Sequence, residues 1–257
     1  MTLRPAEGDR EERLRARLNL NALLPVLSLV EPPPARAVVQ FAVDEELAAH
    51  LVLDGERARV GRGMHRSPTV TLRFADARAL NRFFAGRPSP ASLPSVSGWR
   101  HPLVLASVAR LLGRLRILDP RAACKTPSER AARVRLVLAF ITRALAELAR
   151  AGHHGMRALV DDSPDRVYQW TVAERGIGGF LRVCRGRARA GSDVYIHRRP
   201  FVHFVFPTVE AAYRVFTATG SQMDAVARGL VRTEGSPEHA RAISRMMQEI
   251  DRLLGEA

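Results

Sequence analysis

A twelve-residue segment, His65-Arg66-Ser67-Pro68-Thr69-Val70-Thr71-Leu72-Arg73-Phe74-Ala75-Asp76, gives the clearest structural signal in this chain. Val70, Leu72 and Phe74 alternate with polar residues, which is typical of a strand that is buried on one face. Asp76 is a favoured N-cap residue, so the segment predicts a strand followed by a helix over residues 77–84.

The same pattern returns 132 residues later as His197-Arg198-Arg199-Pro200-Phe201-Val202-His203-Phe204-Val205-Phe206-Pro207-Thr208. Residues 39–41 also match 168–170, and residues 57–61 match 187–191, at offsets of 129 and 130. Collinear matches with a slowly changing offset indicate a tandem duplication. We therefore predict two repeats, residues 1–127 and 128–257, which pack as a pseudo-dimer within the chain. The helix over 128–150 belongs to either repeat or is shared by both.

Elements on either side of these matches complete the predicted fold. A leucine-rich helix over 10–29 precedes short strands that turn residues separate, which favours an antiparallel sheet. Residues 114–119 either end a helix that begins at Leu103 or form a fifth strand. Capping signals start further helices at Thr126 and Ser236. The fold class is therefore α/β of the α+β type, with a mainly antiparallel, curved sheet covered by helices in each repeat.

Composition limits the classes of function. The 257 residues are 46% hydrophobic, but no apolar run is long enough to cross a bilayer. Early acidic residues make the N-terminus a poor signal peptide. The two cysteines, Cys124 and Cys184, are far apart and have no metal-binding or redox spacing. These features predict a cytoplasmic protein without a cofactor or a bound metal.

The net charge of +14 comes almost entirely from arginine, since Lys125 is the only lysine. Such a bias points to GC-rich coding as much as to a polyanionic partner. The arginines are dispersed and are not interleaved with aromatic residues, so no nucleic-acid partner is expected. A transient contact with an anionic membrane is favoured, because each exposed arginine near such a surface contributes about 1 kcal/mol.

Several motifs together resemble the sterol carrier protein-2 (SCP2) family. The first half shows them in Val70-Thr71-Leu72-Arg73-Phe74-Ala75-Asp76, in Phe84-Ala85-Gly86 and in Gly113-Arg114-Leu115-Arg116-Ile117-Leu118. The second half is similar at Ala227-Arg228-Gly229-Leu230-Val231 and Gly235-Ser236-Pro237-Glu238. The resemblance covers most of residues 37–118 and 166–254. It departs from the family pattern in a longer loop over 87–102 and in Tyr213 and Arg214.

This resemblance implies two SCP2-like repeats and non-enzymatic binding or transfer of a fatty acid, a fatty acyl-CoA or a sterol in an apolar tunnel. It carries no catalytic residues. The side chains that would line the tunnel, or else fill an ordinary core, are Val39, Phe41, Leu72, Phe74, Phe83, Phe84, Val108, Leu111, Leu112, Tyr168, Trp170, Phe204, Phe206, Phe216 and Met223.

Other interpretations of the sequence stay open. Arg66 and Arg198 could hold a lipid head group, or could simply lie in solvated turns. The pair His153-His154 near Asp161-Asp162 is the only dense cluster of potential metal ligands, and it lacks metal-binding spacing. One alternative function is an interaction module with closed cavities that binds a protein or an anionic membrane. Another is an enzyme that uses His203 or Tyr168 inside the tunnel.

Overall fold

The structure, a computed structural model, describes residues 7–119, 122–161, 163–217 and 222–255. Its internal contacts divide the described residues into unit 1, residues 7–115 with 251–255, and unit 2, residues 116–250. The described part contains eight α-helices and two five-stranded sheets. The predicted α+β fold class is thus confirmed.

Unit 1 contains the elements of the first repeat. Its opening helix changes at Asn19 into a π turn, Asn19–Leu23, and then into a 3-10 turn, Leu24–Leu29, in which Pro25 removes a backbone donor. The regular elements are α1 Glu7–Leu18, β1 Arg36–Ala42, β2 Ala48–Asp54, β3 Ala58–Arg62, β4 Val70–Arg73, α2 Ala77–Phe84, β5 Ser95–Ser97 and α3 Pro102–Gly113.

Unit 2 contains the elements of the second repeat. They are α4 Pro127–Arg150, α5 His154–Val160, β6 Arg166–Val172, β7 Ile177–Cys184, β8 Arg187–Gly191, β9 Val202–Phe206, α6 Val209–Thr217, α7 Gln222–Ala227, β10 Arg232–Gly235 and α8 Pro237–Gly255. The last residues of α8, from Asp251, group with unit 1.

The two sheets have the same topology. Their strand orders are β3-β2-β1-β4-β5 and β8-β7-β6-β9-β10, and the central pairs β1–β4 and β6–β9 are parallel while the other pairs are antiparallel. Residue registers also agree, since Phe41 lies opposite Leu72 in the first sheet and Trp170 opposite Phe204 in the second. The sequence repeat is therefore also a repeat of fold.

The predicted helix starts are confirmed. The carboxylate of Asp76 accepts a hydrogen bond from the Ala79 N–H at 2.7 Å, and the Thr208 hydroxyl accepts one from the Ala211 N–H at 3.1 Å. Thr126 and Glu129 form the reciprocal capping box at the start of α4. Each cap satisfies a backbone donor that the first helical turn leaves without a partner.

The fifth strand of unit 1 lies elsewhere than residues 114–119. Residues 114–118 form a 3-10 turn that continues α3, and the strand is Ser95–Ser97, inside the proline- and serine-rich loop. This strand pairs with β4 through only three residues. A strand so short leaves no alternating pattern that periodicity can detect.

Helix α4 packs on β7 and β8, the edge of the second sheet. Gly179 permits this close approach, because a Cβ atom there would lie 3.2 Å from the Thr142 side chain and 3.3 Å from the Leu138 carbonyl. The long capped helix therefore contributes to the core of the second repeat, and Gly179 serves its packing on the sheet.

A buried glutamine in the central strand of each sheet departs from the predicted pattern. The alternation in β1 predicts an exposed Gln40, yet Gln40 and its counterpart Gln169 are both buried. The side-chain oxygen of Gln40 accepts the backbone N–H of His65 at 2.7 Å, and that of Gln169 accepts the N–H of Tyr195 at 2.9 Å. By this hydrogen bond Tyr195, not His197, is the equivalent of His65, so the match of the two His-Arg-x-Pro blocks needs a two-residue gap.

Candidate functional site

The predicted tunnel residues of the first repeat lie in a packed core. The members Val39, Phe41, Leu72, Phe74, Val108 and Leu111 are buried in one hydrophobic cluster, and Phe83, Phe84 and Leu112 pack against it. Phe41 and Phe84 have ring centroids 6.2 Å apart, and Phe74 and Phe83 are 5.2 Å apart. These distances are typical of aromatic pairs that fill a core.

The corresponding residues of the second repeat also pack on one another. Trp170 stacks on Phe204 at 5.3 Å, and Phe206 meets Phe216 at 5.3 Å. Tyr168 is fully buried beside them in β6. The side chain of Met223 lies outside the described part of the structure.

Two cavities of about 300 and 290 Å³ lie in unit 2. The first is lined by Arg199, Pro200, Phe201, His203, Glu234, Gly235 and Ser236, and the second by Arg157, Ala158, Leu159, Asp161, Ser163 and Arg166. Neither lining includes a predicted tunnel residue, and both volumes are at the lower end for small-molecule sites. Because ten of the predicted residues are buried, a lipid among them would need their side chains to move apart.

The two arginines predicted for a head group have different surroundings. Arg66 is exposed in the loop after β3. Arg198 forms an ion pair with Asp165, which also accepts two hydrogen bonds from Arg182 at 2.7 and 2.8 Å. The hydrogen bonds from Arg182, together with Arg198, lower the pKa of Asp165 from 3.8 to about 2. The charge of Arg198 is thus already partnered.

This arrangement predicts a pH-dependent contribution to stability. Because the pKa of Asp165 is lowered in the folded state, its contribution is present above about pH 4 and is lost as the pH falls towards 2. Asp165→Asn should therefore lower the midpoint of thermal unfolding at pH 6 and have a much smaller effect at pH 2. Arg182→Gln should show the same trend, and an equal loss at both pH values would contradict the assignment.

His203 and Tyr168, the residues of the enzyme hypothesis, lie in the second sheet, on β9 and β6. His203 Nε2 lies 2.7 Å from the Thr171 hydroxyl, and its Nδ1 is 3.8 Å from the Glu234 carboxylate. Burial lowers the pKa of His203, which Glu234 partly offsets. Burial likewise raises the pKa of Tyr168. Both groups are therefore neutral at pH 7.

A serine–histidine pair at the start of α8 is held in an inactive arrangement. His239 Nε2 lies 2.8 Å from an Arg166 amino group, which can only donate, so Nε2 carries the lone pair. The ring proton of neutral His239 is then on Nδ1, 2.9 Å from the Ser236 hydroxyl oxygen. The histidine donates to this serine and cannot remove its proton, so the pair caps the helix and does not form a nucleophile.

The adjacent histidines His153 and His154 belong to no group of three potential metal ligands within the described ranges. The rings of His153 and His154 are 4.8 Å apart, and His153 Nε2 is 3.9 Å from the Glu249 carboxylate. No group of three or more potential metal ligands occurs among the residues that the structure describes, and Asp162 lies outside them.

An exposed apolar and basic face in unit 1 was missed by the sequence analysis. Leu93 is 59% exposed, Trp99 69% and Leu103 82%, around β5 and the start of α3. Arg100, Arg110 and Arg114 are exposed in the same segment. We call these six residues the docking face. A sequence signal was present, since residues 77–118 contain seven arginines and no acidic residue.

Helix α3, which begins at the docking face, packs against the core of unit 1 through few side chains. Only Val108 and Leu111 are buried, while Val104, Leu105 and Leu112 are partly buried against the core. Few buried apolar contacts are typical of an element that opens at low free energy. The helix thus joins an exposed face to the aromatic core.

Within the described residues, every helix is too short or too polar to cross a membrane. A scan against protein-family models and a search of curated proteins both find no match to the chain.

Proposed function

We propose that this protein is a non-enzymatic lipid-binding protein that works at an anionic membrane surface, which it contacts through the docking face. The observation that carries the proposal is the position of Trp99, an exposed indole between Leu93 and Leu103 in an acid-free, arginine-rich segment. Tryptophan is enriched where protein meets the interface of a bilayer. Arginine adds attraction to anionic lipids.

Charge complementarity favours a membrane over an apolar protein groove as the partner. Within the described residues, Arg100, Arg110 and Arg114 take part in no ion pair. Their charges are therefore available to phosphate groups, while the apolar side chains enter the acyl boundary. The cytoplasmic leaflet carries such anionic lipids, so the proposal includes a cytoplasmic location.

We expect the double variant Trp99→Ser, Leu103→Ser to bind phosphatidylglycerol vesicles at least tenfold more weakly than the wild type, because two large apolar side chains no longer enter the interface. Co-sedimentation measures the partition coefficient. Val226→Ser is the matched control, since it changes an exposed apolar side chain of unit 2. Equal binding by wild type and double variant would overturn the proposed contact.

The bound lipid itself is the second half of the proposal. The resemblance to lipid carriers and the loosely seated α3 support uptake of an acyl chain between α3 and the aromatic core around Phe41 and Phe84. Docking at the start of α3 would release the helix from the core. Native mass spectrometry after incubation with vesicles, together with displacement of a fluorescent fatty acid, tests this step, and no ligand in either assay would restrict the protein to surface binding.

The non-enzymatic part of the proposal has its own support. In the described residues, the groups closest to a catalytic arrangement are His203 and the Ser236–His239 pair. The hydrogen bonds of both are those of structural residues. Hydrolysis of an ester substrate by the protein tests this part. Activity that Ser236→Ala abolishes would contradict it.

A further inference from the structure

We infer that the loop between β8 and β9, residues 192–201, is a second contact with the anionic lipid surface. The inference rests on the proposed function for the nature of the surface, but it concerns different residues and a different unit. It gives a role to the second His-Arg-x-Pro block, which is not part of the docking face.

The loop presents one large apolar side chain to solvent. Ile196 is 82% exposed, as much as Leu103 in the docking face. A β-branched apolar side chain usually packs against its own fold. The exposure of Ile196 is therefore not explained by packing within unit 2.

The protein holds this loop in a defined conformation. The backbone N–H of Tyr195 is bound by the buried Gln169 at 2.9 Å, and the Tyr195 ring packs on Phe180 at 4.9 Å and on His197 at 5.1 Å. Ile196 therefore lies between two residues whose rings are in contact. Little conformational entropy is lost when a side chain that is held in this way enters a bilayer interface.

The charges around Ile196 fit an anionic partner. Arg199 is exposed and forms no ion pair among the described residues, and Arg189 is exposed on the neighbouring edge strand. The acidic Asp193 interacts with Arg143, and Asp165 is already bound by Arg182 and Arg198. The free charge of the loop is therefore positive.

The first repeat repeats this arrangement with different rings. Gln40 binds the backbone of His65 at 2.7 Å, and the His65 ring lies 5.1 Å from His50, which takes the place of Phe180. By this register the exposed Arg66 is the counterpart of Ile196. At this position only the loop of repeat 2 presents an apolar side chain, so the second contact is confined to that loop.

A fluorescent label at the loop tests the inference independently of Trp99. The protein with Cys184→Ser and Ile196→Cys is labelled with nitrobenzoxadiazole, while Cys124 stays buried and unlabelled. Vesicles of phosphatidylcholine with phosphatidylglycerol should shift the label emission to the blue, and pure phosphatidylcholine should not. A label at Arg241→Cys, on the exposed side of α8, is the control and should not respond.

The charge is tested by Arg199→Gln, which should weaken partitioning to phosphatidylglycerol vesicles about fivefold, the loss expected for one arginine at an anionic surface.

Tryptophan emission of the unlabelled protein is measured in parallel with the emission of the label. A silent label at position 196 with a shifted Trp99 overturns the inference and leaves the proposed function intact. A responding label without a Trp99 shift supports the inference and overturns the docking face. A label that responds to duplex DNA, while neither the label nor Trp99 responds to vesicles, overturns both.

Discussion

Phe41→Ala is expected to lower the free energy of unfolding by about 3–5 kcal/mol, because it leaves a large cavity in a packed core. Phe41 is fully buried on the central strand β1, opposite Leu72 on β4, and its ring contacts Phe84. Urea unfolding measures the loss. Leu112→Ala, at a partly buried position of α3 against the same cluster, should have a smaller effect.

This variant also separates a core from a tunnel. A tunnel that is open in the ligand-free protein would already leave one side of Phe41 without contacts, so truncation would cost little stability and would mainly change ligand affinity. A loss of less than about 1 kcal/mol together with weaker lipid binding would contradict the packed core.

Gly235→Ala is the second substitution with a large expected effect, and it should lower the free energy of unfolding by about 3 kcal/mol or more. Gly235 ends β10 with a φ of +96°, and an added Cβ would overlap the backbone carbonyl oxygen of Phe201 on the neighbouring chain segment. The backbone atoms of this carbonyl cannot move aside as a flexible side chain would. Thermal and urea unfolding measure the change.

Gly229→Ala is the matched control, since Gly229 has a φ of +67° but open space around the added methyl group. This variant should lose only about 1–2 kcal/mol of stability, which is the cost of the left-handed backbone conformation for alanine. Gly98 occupies the equivalent place in the first repeat, with a φ of +91° and the Thr69 carbonyl against it. Equal losses for Gly235→Ala and Gly229→Ala would show that the close approach is unimportant.

Local hydrogen-bonding signals in the sequence predict the framework of each repeat well. Asp76 and Thr208 cap α2 and α6 as their residue types predict, and the alternation of Val70 and Leu72 marks a strand buried on one face. These predictions succeed because a cap or a half-buried strand depends on residues within a few positions of one another.

Features that depend on distant residues were not predicted. Gln40 is buried because a loop 25 positions away supplies its partner, and no local pattern shows that contact. The three-residue strand β5 forms because β4 offers an edge. The hydrogen bond between Thr171 and His203 likewise joins residues that are 32 positions apart.

The candidate site was predicted in part. The sequence indicates the apolar residues of both repeats, but apolar periodicity is the same for a core and for a tunnel lining, and the structure places Phe41 and Trp170 in packed cores. The docking face was missed because its arginines were judged over the whole chain. Counted over residues 77–118 alone, the absence of any acidic residue is clear.

Trp99 emission in the presence of lipid vesicles tests the central claim most directly. The chain has two tryptophans, and Trp170 is 1% exposed, so it contributes a constant background that Trp99→Phe isolates. We predict that phosphatidylglycerol vesicles shift the Trp99 emission to the blue, and that nitroxide-labelled lipids quench it. An unchanged spectrum without quenching, at lipid concentrations where the protein sediments with the vesicles, would contradict the account.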